Sequence, residues 1–191
     1  MPSRVAPVDL DESAYLLPEP AAAAVNVALA KARAISAAPD EVVLTADTLV
    51  VCEAELMAKP ADADEARHML RALRARSHQV LTGVALRGED GVRWCGVVAT
   101  SVVMRDYSDA EIEAYIGRGE PFDKAGGYAV QDEAFRPVER LEGCYLNVVG
   151  LPLCAVAAGL ATLGVAATAA GPPPCGYCQA GAGLVSVRSA S

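Results

Sequence analysis

An aspartate stands inside an apolar stretch, where a charged side chain needs a partner or a function. Asp47 lies in the run Thr45-Ala46-Asp47-Thr48, between the apolar residues 42–44 and 49–51. We interpret the two apolar runs as buried strands separated by a small-residue kink. Asp47 then directly follows a strand, at the end where α/β folds place ligands. A carboxylate there can hold a divalent cation or orient an attacking water. The alternative is an aspartate that caps a following turn.

Two lysines and a glutamine could bind a phosphorylated ligand. Lys59 precedes a proline, and Lys124 precedes the pair Gly126-Gly127, whose freedom to adopt positive φ lets the backbone approach a ligand closely. A lysine beside such a turn can contact phosphate, although a loop lysine can equally be only solvated. Gln131 carries donors and an acceptor on one amide, so it could bind a nucleobase edge or satisfy backbone groups near a turn.

The elements that must position these residues alternate irregularly. Helices are predicted over residues 19–38, 62–73, 108–117 and 153–163, with capping-box spacing at Asp62 and Glu65 and at Ser108 and Glu111. Strands are predicted over residues 79–87 and 92–104, joined as a hairpin by residues 88–91, and over residues 135–141 and 145–149. This order favours an α/β fold with a mixed sheet over a doubly wound parallel one.

Composition limits the classes of function. The 191 residues suffice for one well-buried core, and a net charge of −8 argues against a nucleic-acid polymer or an anionic membrane as the partner. The first twelve residues carry four charges and no apolar run, so they do not form a secretory signal. Residues 148–170 carry no charge, but glycines and a proline interrupt them, which favours a strand end and a buried helix over a membrane span. We therefore expect a cytoplasmic protein.

The end of the chain differs from the rest. Residues 1–165 read as one folded domain, whereas residues 166–191 are rich in Pro, Gly and Ala and predict a flexible tail. The tail holds Cys175 and Cys178, which could be an exposed thiol pair or hold a metal shared between chains. The other cysteines fit reduced thiols in a core; they are Cys52, Cys95, Cys144 and Cys154.

The order and spacing of five sequence blocks are more specific than any one motif. The blocks are Thr-Ala-Asp-Thr at 45–48, Lys-Pro at 59–60, Ser-His-Gln-Val-Leu-Thr-Gly at 77–83, Gly-Glu-Pro-Phe-Asp-Lys-Ala-Gly-Gly-Tyr-Ala-Val-Gln at 119–131 and Asn-Val-Val-Gly-Leu-Pro-Leu at 147–153. Together they resemble the Maf family of nucleoside triphosphate pyrophosphatases over roughly residues 8–164. The resemblance implies two lobes around a central cleft, as in the inosine triphosphate pyrophosphatases. It also implies cleavage between the α- and β-phosphates, which gives a nucleoside monophosphate and pyrophosphate.

The resemblance also implies roles for single residues. Asp47 would be the proton acceptor, with Mg²⁺ or Mn²⁺ held partly by Asp47 and partly by the substrate's phosphates. Thr48 and Gln131 would govern the choice of base. The remaining implied residues face the phosphates or lie near the same cleft; they are Lys59, Lys124, Lys31 and Glu12.

The substrate branch follows from the same resemblance. The block Lys-Ala-Gly-Gly-Tyr at 124–128 looks like the branch that acts on dTTP and UTP, not the one that acts on 7-methyl-GTP. A glutamine amide agrees with this choice, because it can accept from the N3–H of uracil or thymine and donate to a ring carbonyl. A homodimer is a further implication of the resemblance.

The sequence departs from the family pattern at its beginning. The family opens with a strand that leads into Ser-x-Ser-Pro-Arg-Arg, whereas residues 4–9 resemble the stretch that follows that segment. We expect either a start codon upstream of the given sequence, and hence a truncated gene model, or an impaired enzyme. The alternative functions are a nucleotide-binding regulator linked to septum formation and cell division, and a zinc or thiol interaction module formed by the tail.

Overall fold

A single sheet organises the chain. The computed structural model describes residues 3–165 and, for the backbone only, residues 184–186. The strands are β1 (Val43–Cys52), β2 (Glu55–Met57), β3 (Ser77–Gly88), β4 (Gly91–Met104), β5 (Val138–Glu142) and β6 (Leu184–Ser186). Their order is β2-β1-β3-β4-β5, and β6 pairs with the part of β4 that β5 leaves open. Every described pair is antiparallel, so the α/β class without a doubly wound parallel sheet is confirmed.

Within residues 3–165, five α-helices accompany the sheet. They are α1 (Pro20–Ala34), α2 (Ala63–Leu73), α3 (Asp109–Gly117), α4 (Tyr145–Val149) and α5 (Leu153–Thr162). Side-chain caps explain where the first three begin. Glu19 accepts from the first backbone amides of α1, and Asp62 does so at α2. Ser108 and Glu111 form the predicted capping box at α3.

The sheet separates two hydrophobic clusters because strand side chains alternate between faces. On one face, α1 packs its alanines against residues of β1, β3 and β4 such as Leu81. On the other face, α2 and α3 pack against residues such as Val80 and the rings of Tyr107 and Phe135. The two helix layers therefore cover opposite sides of the same strands.

Two predicted elements were wrong. Residues 42–51 are not two strands with a kink, because residues 43–51 pair with β3 in unbroken register. Residues 145–149 form helix α4 and not a strand, although Val148 and Val149 favour strands. The tertiary contacts override that preference: the buried Asn147 side chain bonds to the sheet, and Gly150 ends the helix at a φ of 115°.

Other boundaries shift by a few residues. The first helix ends at Ala34 instead of residue 38, and β5 begins at Val138 because Arg136 has a positive φ and Pro137 lacks an amide proton. Within the predicted tail, the structure describes only β6; Cys175 and Cys178 lie outside the described residues. No helix in the described ranges is long and apolar enough to cross a membrane.

Candidate active site

A cleft of about 810 Å³ opens along one edge of β1. Its size falls in the range of small-molecule sites. Its walls come from the segment before α1, from α1 itself, from the turns that follow α3 and from the end of α4. All seven residues singled out from the sequence line it; they are Glu12, Lys31, Asp47, Thr48, Lys59, Lys124 and Gln131. The fold therefore gathers residues that are up to 119 positions apart, from residue 12 to residue 131.

The cleft forms where β1 lacks a second neighbour. β1 pairs with β3 over residues 43–51, whereas on its other side β2 pairs only with residues 50–52. Among the described residues, the edge of β1 before residue 50 has no partner strand. Asp47 thus lies in the middle of a strand, and the prediction that it follows a strand end was wrong. It reaches the ligand space because it lies on an open edge.

Adjacent residues of β1 point to opposite faces of the sheet. Asp47 faces α1, where it meets Lys31, and Thr48 faces the side of α4, where it meets Thr82 of β3. Both side chains still reach the same cleft, because the cleft wraps around the strand edge. One strand therefore supplies a carboxylate on one side and a hydroxyl on the other.

Asp47 and Lys31 form a shielded ion pair. The Nζ of Lys31 lies 2.7 Å from Oδ1 of Asp47 and 2.7 Å from Oε1 of Glu12. The side chain of Asp47 is only 7% exposed, and its Oδ2 is buried without a hydrogen-bond partner in the described part of the chain. Lys31 therefore occupies one oxygen of the carboxylate, and the other is buried but not committed to any donor of the described residues.

The surroundings shift the pKa values of both members of this pair. Burial raises the pKa of Asp47 above its ordinary value, and the nearby Lys31 only partly offsets that effect. Burial acts to lower the pKa of Lys31, but its hydrogen bonds to Asp47 and Glu12 outweigh burial and raise it. A buried carboxylate with a raised pKa accepts a proton more readily than an exposed one, which suits a general base.

The two other lysines of the cleft differ in their contacts. Lys124 donates to the carbonyl of Glu120 at 2.7 Å and to Oδ1 of Asp123 at 2.6 Å. Lys59 is exposed and makes no hydrogen bond or ion pair with the described residues. The cleft thus holds one lysine bound to neighbouring acceptors and one that is free to meet an anion.

The polar groups expected to contact a base lie on two sides of the cleft. Gln131 is exposed in the turn that follows Tyr128 and has no hydrogen bond to the described residues. The Oγ1 of Thr48 lies 2.9 Å from the Oγ1 of Thr82. The amide of Gln131 is therefore free to rotate, whereas the hydroxyl of Thr48 already has a partner.

A buried pair that we did not predict supports the wall that carries Lys124. The Nε2 of His78 lies 2.7 Å from the hydroxyl of Tyr128, and burial lowers the pKa of His78 to about 4. His78 lies in a recognised sequence block, but we assigned it no chemical role. The sequence offers no signal for this contact, because the two residues are 50 positions apart and lie in separate blocks.

The donor set fits a divalent cation only if the substrate supplies further oxygens. Across residues 3–165, no group of three or more His, Cys, Asp or Glu side chains gathers as a metal site. One oxygen of Asp47 has no hydrogen-bond partner in residues 3–165, and the carboxylates of Asp47 and Glu12 both contact Lys31. One or two carboxylates completed by phosphate oxygens is the usual arrangement for Mg²⁺. These residues therefore fit such an ion together with a nucleoside triphosphate.

Comparison with known proteins gives consistent results. The profile of the Maf family, described as Maf-like protein, matches residues 1–163. The dTTP/UTP pyrophosphatase of Thermomicrobium roseum is 50% identical over 159 residues, which cover 80% of this chain and 71% of that protein. The dTTP/UTP pyrophosphatase of Anaeromyxobacter dehalogenans is 47% identical over 163 residues, covering 84% and 82%. The dTTP/UTP pyrophosphatase of Moorella thermoacetica is 45% identical over 170 residues, covering 86% of each.

Proposed function

This chain belongs to the Maf family, and from that premise we propose that it is a nucleoside triphosphate pyrophosphatase. It hydrolyses dTTP- and UTP-type substrates to the nucleoside monophosphate and pyrophosphate. The supporting observation is the cleft, which is lined by a buried carboxylate, three lysines, and the polar side chains of Thr48 and Gln131. The relatives named dTTP/UTP pyrophosphatase support the choice of substrate.

Asp47 is the general base in this proposal. Its raised pKa and its unpartnered Oδ2 suit removal of a proton from water as the water attacks the phosphoryl group. The oxygen of that water stays on the monophosphate, and pyrophosphate leaves. Lys31 holds Oδ1, so the carboxylate keeps one orientation throughout the reaction.

The remaining lysines stabilise negative charge. Lys59 is free to bind a phosphate oxygen, and Lys124 can exchange its contacts with Asp123 and Glu120 for the substrate. Phosphoryl transfer gains most of its rate from such positioned positive charge, because charge builds up on the leaving oxygen as the bond breaks.

We also propose dependence on Mg²⁺ or Mn²⁺. Asp47 and Glu12 would hold the ion together with the phosphates, and the bound ion would neutralise charge on the triphosphate. Asp47 can serve fully as a base only while Oδ2 is free of the ion. The homodimer and the cytoplasmic location stay predictions.

Product analysis tests the proposed function. The chain is incubated with Mg²⁺ and each of UTP, dTTP, CTP, ATP and GTP, and the products are separated by ion-exchange chromatography. We expect UMP or dTMP with an equal amount of pyrophosphate, and slower release from the other nucleotides. Release of a diphosphate and inorganic phosphate would contradict the proposed bond cleavage. Binding of UTP without turnover would favour the regulator alternative.

A further inference from the structure

A series of hydrogen bonds runs from the cleft into the buried contact between the sheet and α4. Thr48 meets Thr82 at 2.9 Å, and the hydroxyl of Thr82 donates to the backbone carbonyl of Asn147 at 3.0 Å. Thr82 and Asn147 are both fully buried, with 0% exposure. Of these three residues, only Thr48 lines the cleft.

The proton count fixes the direction of the first hydrogen bond. A threonine hydroxyl has one proton and two lone pairs, and a backbone carbonyl can only accept. Because Thr82 gives its single proton to the carbonyl of Asn147, Thr82 has only lone pairs left for Thr48. Thr48 must therefore donate its own proton to Thr82.

The backbone carbonyl of Asn147, which is the last acceptor in this series of hydrogen bonds, is held firmly in place. The Nδ2 of Asn147 donates to the carbonyl of Val80 at 3.0 Å and to the Oγ1 of Thr100 at 3.0 Å. A reversed amide would set Oδ1 against the Val80 carbonyl, two acceptors facing each other, so the orientation of the amide is determined. Asn147 thereby locks α4 to both β3 and β4.

The direction of these hydrogen bonds decides whether the Thr48 hydroxyl donates to a ligand in the cleft or accepts from it. Since the proton of Thr48 points inward to Thr82, its Oγ1 shows the ligand only lone pairs. The end of α4 lies beside this oxygen: a Cβ built on Gly150 would lie 3.6 Å from it. Thr48 thus presents a fixed acceptor, in contrast to the freely rotating amide of Gln131.

We propose that Thr82 and Asn147 are positioning residues that make Thr48 an obligate acceptor and so select a base with a ring N–H. Uracil and thymine carry a donor at N3, whereas N3 of cytosine is an acceptor. An acceptor opposite an acceptor leaves both groups unpaired in the complex, which costs affinity. This inference deepens the proposed function, because it rests on a pyrimidine nucleoside triphosphate as the substrate.

The test compares variants that keep or remove the relay, by which we mean the hydrogen bonds from Thr48 to Thr82 and from Thr82 to the carbonyl of Asn147. Thr82→Val removes the inner acceptor, which lets the Thr48 proton turn into the cleft. The UTP:CTP ratio of kcat/KM should then fall about 10-fold. Thr82→Ser keeps a hydroxyl at the same place and should restore the ratio. Thr45→Val is the matched control, since Thr45 is a buried β1 threonine whose hydroxyl bonds to the carbonyl of Ala28 at 2.7 Å, away from the cleft.

Calorimetric binding of UTP and CTP in an Asp47→Asn background separates selectivity from turnover. A binding ratio that falls in Thr82→Val but not in Thr45→Val supports the proposal even if the parent chain proves inactive. An unchanged ratio in Thr82→Val overturns the proposal even if UTP hydrolysis is normal. An equal fall of the binding ratio in Thr45→Val also overturns the proposal. So does equal affinity for UTP and CTP in the Asp47→Asn protein with Thr82 unchanged.

Discussion

At the scale of the residue, the chemistry depends on how Asp47 is surrounded. Its carboxylate is shielded from water, one oxygen is bound to Lys31, and the other has no hydrogen-bond partner among the residues that the structure describes. Burial favours the neutral acid and Lys31 favours the carboxylate, and burial has the larger effect on the pKa. The balance between these two influences sets the pH at which Asp47 becomes ionised and could act as the proposed base.

The acid limb of the pH profile should report this balance. In Lys31→Met the cation that most strongly lowers the pKa of Asp47 is gone, so the acid limb of kcat/KM for UTP should move to higher pH. The control is Arg33→Met, an exposed cation on the same helix that does not line the cleft. A limb that stays in place or moves to lower pH in Lys31→Met would contradict the role of Asp47 as the base.

His78 gives a second pH prediction, this time for stability. Its pKa is about 4 in the folded chain and 6.5 ordinarily, so the unfolded chain binds more protons between these values. His78 therefore leaves stability unaffected above pH 6.5 and lowers it as pH falls towards 4, by up to about 3 kcal/mol. Denaturant titrations of the parent and of His78→Gln measure this effect. As the pH falls from 6.5 to 4, the free energy of unfolding of the parent should decrease relative to that of the variant.

The chain offers a matched control for that measurement. His68 is the only other histidine, and it is exposed on α2. His68→Gln, measured in parallel, controls for the loss of an imidazole as such. A constant difference between the parent and His78→Gln from pH 7 to pH 4 would show that the buried histidine does not stay neutral.

Residue-scale predictability was uneven. All seven residues singled out from the sequence line the cleft, but the argument that put Asp47 at a strand end was wrong. A strand with one open edge gives the same access to a ligand, and apolar patterning does not reveal which strand edges stay open. The contacts of Thr82 and His78 were not predicted, because hydrogen bonds over 50 or more positions leave no mark on local spacing.

At the scale of the element, the close packing of α1 on the sheet sets the position of Lys31. Gly83 of β3 pairs directly with Asp47 across the ladder. A Cβ on Gly83 would lie 2.2 Å from the backbone oxygen of Ala24, so α1 rests on the bare backbone of this residue. Lys31 lies two turns further along the same helix and meets Asp47 there.

Gly83→Ala should therefore damage both stability and the site. The atoms in its way belong to the backbone of α1 and cannot rotate aside, so the helix must move. We expect a loss of about 1–3 kcal/mol in the free energy of unfolding and a larger loss of UTP turnover than stability alone explains. Denaturant titration and steady-state kinetics measure the two effects.

Gly88→Ala is the control on the same strand. A Cβ there would meet only the flexible end of Arg93, at 3.5 Å. Equal losses of stability in Gly83→Ala and Gly88→Ala would contradict the packing argument.

Elements with a strong local signal were predicted well. The capped helices α2 and α3 and the β3–β4 hairpin agree with their patterns, since caps, turn residues and periodicity act within a few positions. Helix α4 was mistaken for a strand because its β-branched residues favour strands, and the contacts of Asn147 that decide the matter lie on other strands.

At the scale of the whole molecule, one sheet with helices on both faces brings distant segments to a single edge. The fold class could be predicted from the irregular order of strands and helices and from the family blocks. The purely antiparallel pairing of the described strands could not, because local patterns do not state which strands are neighbours. The cleft itself is a property of the assembled sheet, since its walls come from segments on both of its faces.

The rate of pyrophosphate release from UTP by Asp47→Asn tests the central claim most directly. The substitution keeps the size of the side chain and removes the base, so kcat should fall about 10²–10⁴-fold while UTP still binds. Asp106→Asn, an exposed aspartate outside the cleft, should keep the parent rate. A folded Asp47→Asn variant with a rate close to that of the parent would contradict the assignment of Asp47 as the base.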